Sequence, residues 1–364
     1  MTTLDRRTLN RTTLSRQFLL DRTGTAPHEV VRHLVGLQAQ DPEPPYVGLW
    51  SRVADFALDG LTGLLHDRSV VRGTMFRGTQ HLVTADDYRW LRPTLQPYLT
   101  RWQKGAFGRS TQGLDLDELA AATRDLLADG PVPRPELARA LAERWLGRAP
   151  VELARSAQGL LPVLHPPPDG TWGRRGPTPF VLAEQWLGAP LADEPDPERL
   201  VLRYLAAFGP ASVKDVQAWS GMTRMRAVVE GLRPRLAVLA DEHGRELFDL
   251  PDAPIADPDT PAPVRFMALL DNALVGYDDR SRLVADHQRV HLVVHPPVTV
   301  DGFVRGLWRI ERDKGTGAAV LDVRLFEPLS PAEEEAVTAE GARLLRFAAA
   351  DATGHDLRLR PLEA

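Results

Sequence analysis

Two glutamines, Gln38 and Gln40, stand one residue apart in VGLQAQDPEPPYVGLW, residues 35–50. A primary amide donates through nitrogen and accepts through oxygen but carries no charge, so a pair of them is neither a core nor an ion pair. Pro42, Pro44 and Pro45 forbid helix continuation, and the residue before Pro42 is pushed toward extended geometry. The helix begun in PHEVVRHLVGL is therefore expected to stop near Gln40. On a continuing helix the two side chains would diverge by about 200°. In an extended exit they point the same way. Two readings follow: convergent amides at a rigid corner, or side chains that merely cap the last helical carbonyls.

Other chemistry-bearing residues are sparse. His287, His291 and His295 recur every four residues in DHQRVHLVVH, but VHLVVHPP reads as a strand, whose rise would set the last two rings roughly 13 Å apart. No metal site is expected there, since one ion bonds its ligands at about 2 Å. The chain lacks a GxxxxGK[ST] loop, a GxGxxG after a strand, a GxSxG elbow and an HExxH pair, so no cofactor is expected. Arg174 and Arg175, beside Trp172, are candidates to touch a phosphate backbone.

The elements around these residues follow a repeated pattern. PERLVLRYLAAFGP, SVKDVQAWSG and TRMRAVVEGL read as three helices with a tight corner at Gly221, followed by a hairpin in LAVLADEHGRELFDL. That is a winged helix-turn-helix over 196–252. The same order recurs over 111–195, and a looser version over 1–110 carries the glutamine corner. After the proline-rich break DAPIADPDTPAP, residues 262–364 read as short strands, including VRFMALLDNALVGY, with a hairpin turn at Asp301-Gly302 and a terminal helix. The expected fold is mainly α with β: three tandem winged helix-turn-helix units and a C-terminal β-barrel-like module closed by a helix. Such units enter DNA grooves, and they also serve as protein scaffolds. The third helix offers Arg224 and Arg226 but no Asn or Gln for base edges.

Composition narrows the setting. There is no cysteine, which excludes disulfides, Cys-ligated zinc and iron–sulfur clusters. No window reaches the ~18 apolar residues of a membrane span. A cytoplasmic, nucleoid-associated protein is expected, without membrane contact. The net charge of −5 argues against indiscriminate polyanion binding, yet residues 1–110 hold 15 Arg/Lys against 10 Asp/Glu.

GLQAQDPEPPYVGLWSRV followed by RGTMFRGTQHLVTADDY resembles the AlkZ/YcaQ-like superfamily of winged-helix DNA glycosylases. Gln38-Ala39-Gln40 matches its Gln-x-Gln, AlkZ-type branch. The resemblance implies a monofunctional glycosylase hydrolysing the N-glycosidic bond of cationic N7- or N3-alkylated purines, including bulky adducts and interstrand crosslinks. Gln38 and Gln40 would then be catalytic, positioning the attacking water. Arg72, Arg77 and His81, in the second matching segment, would hold phosphate or a glutamine amide; otherwise they belong to a strand with a solvated arginine face. The expected partner is double-stranded alkylated or crosslinked DNA, bound by a monomer. The alternative is a winged-helix DNA-binding regulator or drug-sequestering protein without catalytic activity.

Overall fold

The computed structural model describes residues 2–362; residues 1, 363 and 364, at the ends of the first and last expected units, lie outside the described residues. The N-terminal part runs β1 (Thr3–Leu4), α1 (Arg6–Arg16), α2 (Pro27–His33), β2 (Leu37–Gln38), α3 (Glu43–Trp50), α4 (Leu58–His66), β3 (Val70–Thr74), β4 (Gln80–Thr84) and the long α5 (Ala85–Phe107). Helix α2 ends earlier than expected, and for a different reason. Val35 at φ 61° and Gly36 at φ 135° turn the chain out of the helix before the prolines are reached. Pro44 and Pro45 do not stop a helix; they open α3, in the first turn, where a missing N–H costs nothing.

The second part contains α6 (Leu116–Leu126), β5 (Val132–Pro133), α7 (Arg134–Arg144), α8 (Pro150–Leu160), β6 (Val163–Leu164), β7 (Pro179–Leu182) and α9 (Ala183–Leu187). Its strands do not form a separate sheet. They continue the N-terminal one in the order β2-β4-β3-β6-β7-β5. The third part is α10 (Pro197–Phe208), α11 (Val213–Ser220), α12 (Met225–Leu232) and the hairpin β8 (Ala237–Asp241) with β9 (Glu246–Asp249). Ser212 and Asp215 form a capping box at the start of α11. Strand β1 pairs in parallel with β8, so the beginning of the chain is fastened to this hairpin.

The C-terminal part corrects three expectations. Of VRFMALLDNALVGY only β10 (Arg265–Phe266) is a strand, and Asn272–Val275 forms a short helix, α13, capped by Asp271. VHLVVHPP is not a strand either: 286–288 and 291–293 are single 3₁₀ turns. Val290, Val293 and Val294 are exposed and, before Pro297, only Leu292 is buried, so the run has no alternating buried face to pair. Finally, β11 (Pro297–Val300), β12 (Phe303–Arg312), β13 (Ala319–Leu325) and β14 (His355–Pro361) join β10 in an open five-stranded sheet rather than a closed barrel. Helix α14 (Pro331–Ala348) crosses between β13 and β14, which are parallel, and its Leu344 and Leu345 share a core with Leu321 and Phe266. The helix covers a sheet face that a barrel would have covered by rolling up.

The parts share cores. Val30, Tyr46 and Leu49 pack in one cluster with Phe266, Trp308 and Leu321, while Val83, Tyr88 and Leu95 pack with Tyr204, Trp219 and Val229. Burying such side chains contributes roughly 1.5–3 kcal/mol each. Arg52, at the end of α3, donates to both oxygens of Asp271 at 2.7 and 2.8 Å, with both residues buried. Removing one partner of such a pair costs about 3–5 kcal/mol because the other charge is stranded. The strand bearing the glutamines therefore lies where the two cores meet. No helix among the described residues is long and apolar enough to cross a membrane.

Candidate active site

Gln38 pairs with His81 across β2 and β4, and Ala39 N–H continues the ladder by donating to Gln80 O at 2.8 Å. The extended backbone carries through to residue 39, which is the geometry that puts side chains 38 and 40 on one side. Gln38 is half-buried and Gln40 exposed.

Each amide oxygen has a donor. Gln38 Oε1 accepts from Arg77 Nη2 at 3.0 Å, and Gln40 Oε1 accepts from the backbone N–H of Gln80 at 3.3 Å. A carbonyl oxygen has two lone pairs, so each keeps one for a further ligand. Arg77 is itself fixed: Nη1 donates to Trp219 O at 2.6 Å, and Nη2 lies 3.4 Å from His81 Nε2. His81 Nδ1 is 3.0 Å from Thr79 O, which can only accept, so Nδ1 carries the proton and Nε2 turns its lone pair toward Arg77. Arg77 adopts a left-handed φ of 56° and Gly78 one of 70°. A side chain at Gly78 would collide with the indole of Trp102, so this turn requires glycine.

Arg72 grips the corner from the backbone side. Its Nε donates to Ala39 O at 2.9 Å, Nη2 to Gln40 O at 3.2 Å and Nη1 to Asp169 at 2.8 Å. The Arg72 side chain is 4% exposed and that of Asp169 10%. Gly170 makes room: a Cβ there would sit 2.8 Å from Arg72 Cδ. The loop between β6 and β7 thus clamps the residue that clamps the glutamines.

Burial sets the charge states. It is the main reason the Arg77 guanidinium falls to about 10, with Arg280 adding repulsion, and it likewise lowers Arg72. Burial first and Arg77 second push the His81 imidazole down to about 3; burial and Arg72 do the same to His165, whose backbone N–H donates to Arg72 O. Both histidines are neutral in the folded chain at pH 5–7, whereas in the unfolded chain they protonate below about 6.5. The unfolded state then binds more protons, so stability is fully present above pH 6.5 and falls as pH drops toward 3. Between pH 7 and 5 the expected loss is about 2 kcal/mol per histidine. Urea unfolding at the two pH values checks this, with His165→Gln expected to remove roughly half of the difference. Equal stability of the wild type at both pH values would contradict neutral burial.

The structure thus brings Arg72, Arg77 and His81 together with Gln38 and Gln40, by contacts to amide and backbone. Buried Arg72 turns no face to a solvent-side phosphate. Arg174 and Arg175 are exposed on the β6–β7 loop, and Arg175 reaches Glu43 at 3.1 Å. Asp169, the Trp219 carbonyl and Gly78 were not found in the sequence; the first two act from 97 and 142 residues away. No group of three or more His, Asp or Glu among the described residues could hold a metal ion.

Residues 31–347 match the family model of AlkZ-like DNA glycosylases. An interstrand DNA cross-link repair glycosylase from Streptomyces sahachiroi is 25% identical over 331 residues, covering 82% of this chain and 85% of the relative. The solved structure of DNA glycosylase AlkZ from the same organism superimposes with a TM-score of 0.80 at 21% identity, over 98% of this chain and all of that one, a likeness of fold. With the family model spanning most of its length, the chain belongs to the AlkZ-like DNA glycosylases, hydrolases of N-glycosyl bonds.

Proposed function

We propose that the chain is a monofunctional glycosylase for cationic N7- or N3-alkylated purines in duplex DNA, bulky and crosslinked adducts included, with Gln38 and Gln40 as its catalytic residues. The reading is carried by two amide oxygens, each fixed by one donor and each retaining a lone pair, with no carboxylate hydrogen-bonded to either. Alkylation leaves a positive charge on the purine, so the base departs neutral and needs no general acid. That removes half of what glycoside hydrolysis asks of a carboxylate pair. As the bond from the purine nitrogen to C1′ breaks, its electron pair goes to the base. A water held by the two oxygens attacks C1′ from the opposite face and releases its proton to solvent. The carbonyl dipoles also stabilise the oxocarbenium-like carbon.

In this reading Arg72, Arg77 and His81 hold the corner, while Arg174 and Arg175 touch phosphate. The three helix-and-hairpin parts act as winged-helix units around a monomer's DNA-facing side, in the cytoplasm with the nucleoid. The test is base release from duplexes carrying 7-methylguanine, a nitrogen-mustard crosslink, or a neutral lesion such as hypoxanthine. Release from the first two only is expected. Comparable release of the neutral base would show that a stronger catalyst than two amides is at work.

A further inference from the structure

Around Arg77 stand two polar groups that the glutamine corner does not use. Tyr98, half-buried on α5, lies with its ring over Gly221: a Cβ there would sit 2.7 Å from Tyr98 Cε2. Gly221 closes α11 two residues beyond Trp219, whose carbonyl holds Arg77. Arg280, also half-buried, belongs to the turn after α13. Neither the Tyr98 hydroxyl nor the Arg280 guanidinium has a hydrogen bond or ion pair with any described residue. We propose that Arg280 and Tyr98 clamp one backbone phosphate beside the lesion nucleotide and so place its C1′ at the amide pair. The inference rests on the glycosylase reading above and adds the contact that seats the substrate.

The turn that carries Arg280 is fixed to the same helix as Arg77. Asp278 N–H donates to Asp215 Oδ1 at 2.9 Å, and Arg282 packs over the Tyr277 ring at 3.8 Å while donating to Pro210 O at 3.3 Å. The N–H groups of Leu283 and Val284 both donate to Arg280 O, at 3.0 and 2.9 Å. The two anchor points on α11, Asp215 and Trp219, are four residues apart, about 6 Å along the axis. Arg280 and Arg77 therefore stand in each other's field. After burial, the Arg280 charge is the next cause that lowers the Arg77 guanidinium, and Tyr98 acts on the same group.

Both groups suit an anion. Arg77 spends its donors on Gln38 and Trp219 O, whereas the planar fork of Arg280 is open to the paired oxygens of a phosphate. A phenol hydroxyl adds a single bond to such a group. Asp278, exposed and two residues away, softens the field but forms no ion pair with Arg280; Arg289, which adds repulsion, is itself bonded to Asp279 and Asp286. A cationic purine is repelled by the Arg77–Arg280 pair, so the phosphodiester is the part of the nucleotide that the pair attracts. Its negative charge also offsets two guanidiniums that would otherwise oppose an oxocarbenium-like carbon nearby.

Duplexes holding one 7-methylguanine, with a neutral methylphosphonate replacing each of the nearest phosphates in turn, test the clamp. Arg280→Gln strands no partner, so it should fold as the wild type does. It is expected to bind the duplex with an intact backbone about tenfold more weakly, the scale of a lost charged hydrogen bond. The steepness of log K against log salt should drop by about 0.9. Arg280→Lys should keep that steepness, and Tyr98→Phe, which preserves the ring over Gly221, should weaken binding about threefold. At one methylphosphonate position the wild type should fall to the level of Arg280→Gln, and the substitution should then cost nothing further. Base release at saturating enzyme should fall alongside, because the sugar is held less well. A loss from Arg280→Gln that persists at every methylphosphonate position, or an unchanged salt dependence, overturns the clamp while sparing the glycosylase reading. A wild type that shows the one-position binding effect but releases no base keeps the phosphate contact and loses the glycosylase reading.

Discussion

The variant Gln38→Ala/Gln40→Ala is expected to release 7-methylguanine about 10²–10³-fold more slowly than the wild type, the scale seen when a preorganised hydrogen-bonding group is removed from an active site. Its fold and DNA affinity should not change, because Gln38 is only half-buried, Gln40 is exposed and neither amide anchors a core cluster. The two single changes should not be equal. Gln38 is oriented by a charged donor at 3.0 Å, whereas Gln40 has a neutral backbone donor at 3.3 Å. Charge-assisted bonds are the stronger, so Gln38→Ala should account for more of the loss. Single-turnover rates at saturating enzyme, with fluorescence anisotropy for binding and circular dichroism for folding, measure all three quantities. A folded, DNA-bound double variant that keeps the wild-type rate would end the catalytic assignment.

The second large effect should come from Arg72. Arg72→Met leaves Asp169 buried without its cation, which costs about 3–5 kcal/mol, and strips the carbonyls of Ala39 and Gln40 of their donors. Stability and geometry can be separated. Replacing a buried ion pair by apolar residues of similar volume is often close to neutral, so Arg72→Met/Asp169→Leu should regain most of the lost stability. Its rate should stay low, since nothing then ties the glutamine corner down. Denaturant midpoints and base-release rates for the two variants form the comparison. If the double replacement recovers stability and full rate together, Arg72 matters only as one half of a buried pair.

How far the sequence went can be judged from particular residues. The extended exit at Gln38 was legible, although the prolines credited with it instead open the next helix; the chain leaves α2 at Val35 and Gly36, and a non-glycine residue with positive φ gives little warning in sequence. Arg77 and His81 were singled out because they lie in the second segment that resembles the family, although Arg77 meets Gln38 across 39 residues. Asp169 was invisible because it meets Arg72 only after the β6–β7 loop folds back across 97 residues. The repeated helix-helix-helix-hairpin order was readable from periodicity, but not the merging of strands from two parts into one sheet, since that depends on which edges are left unpaired. VHLVVHPP misled because so short an apolar stretch, broken by His291 and His295, carries no reliable period, and its valines turned out to face solvent.

The shared sheet has a mechanical meaning. Glutamine corner and β6–β7 loop are joined through β4, β3 and β6 by hydrogen-bonded neighbours about 4.8 Å apart, and by the Arg72–Asp169 bond across them. The span from the amides to Arg174 and Arg175 is thereby set like the jaws of a fixed gauge, with no linker to take up slack. If the amides and Arg174 and Arg175 meet DNA as proposed, the duplex has to supply the adjustment itself. DNA already kinked or loosened by its lesion would then conform at lower cost than an intact helix, so that stiffness would sort damaged sites from sound ones.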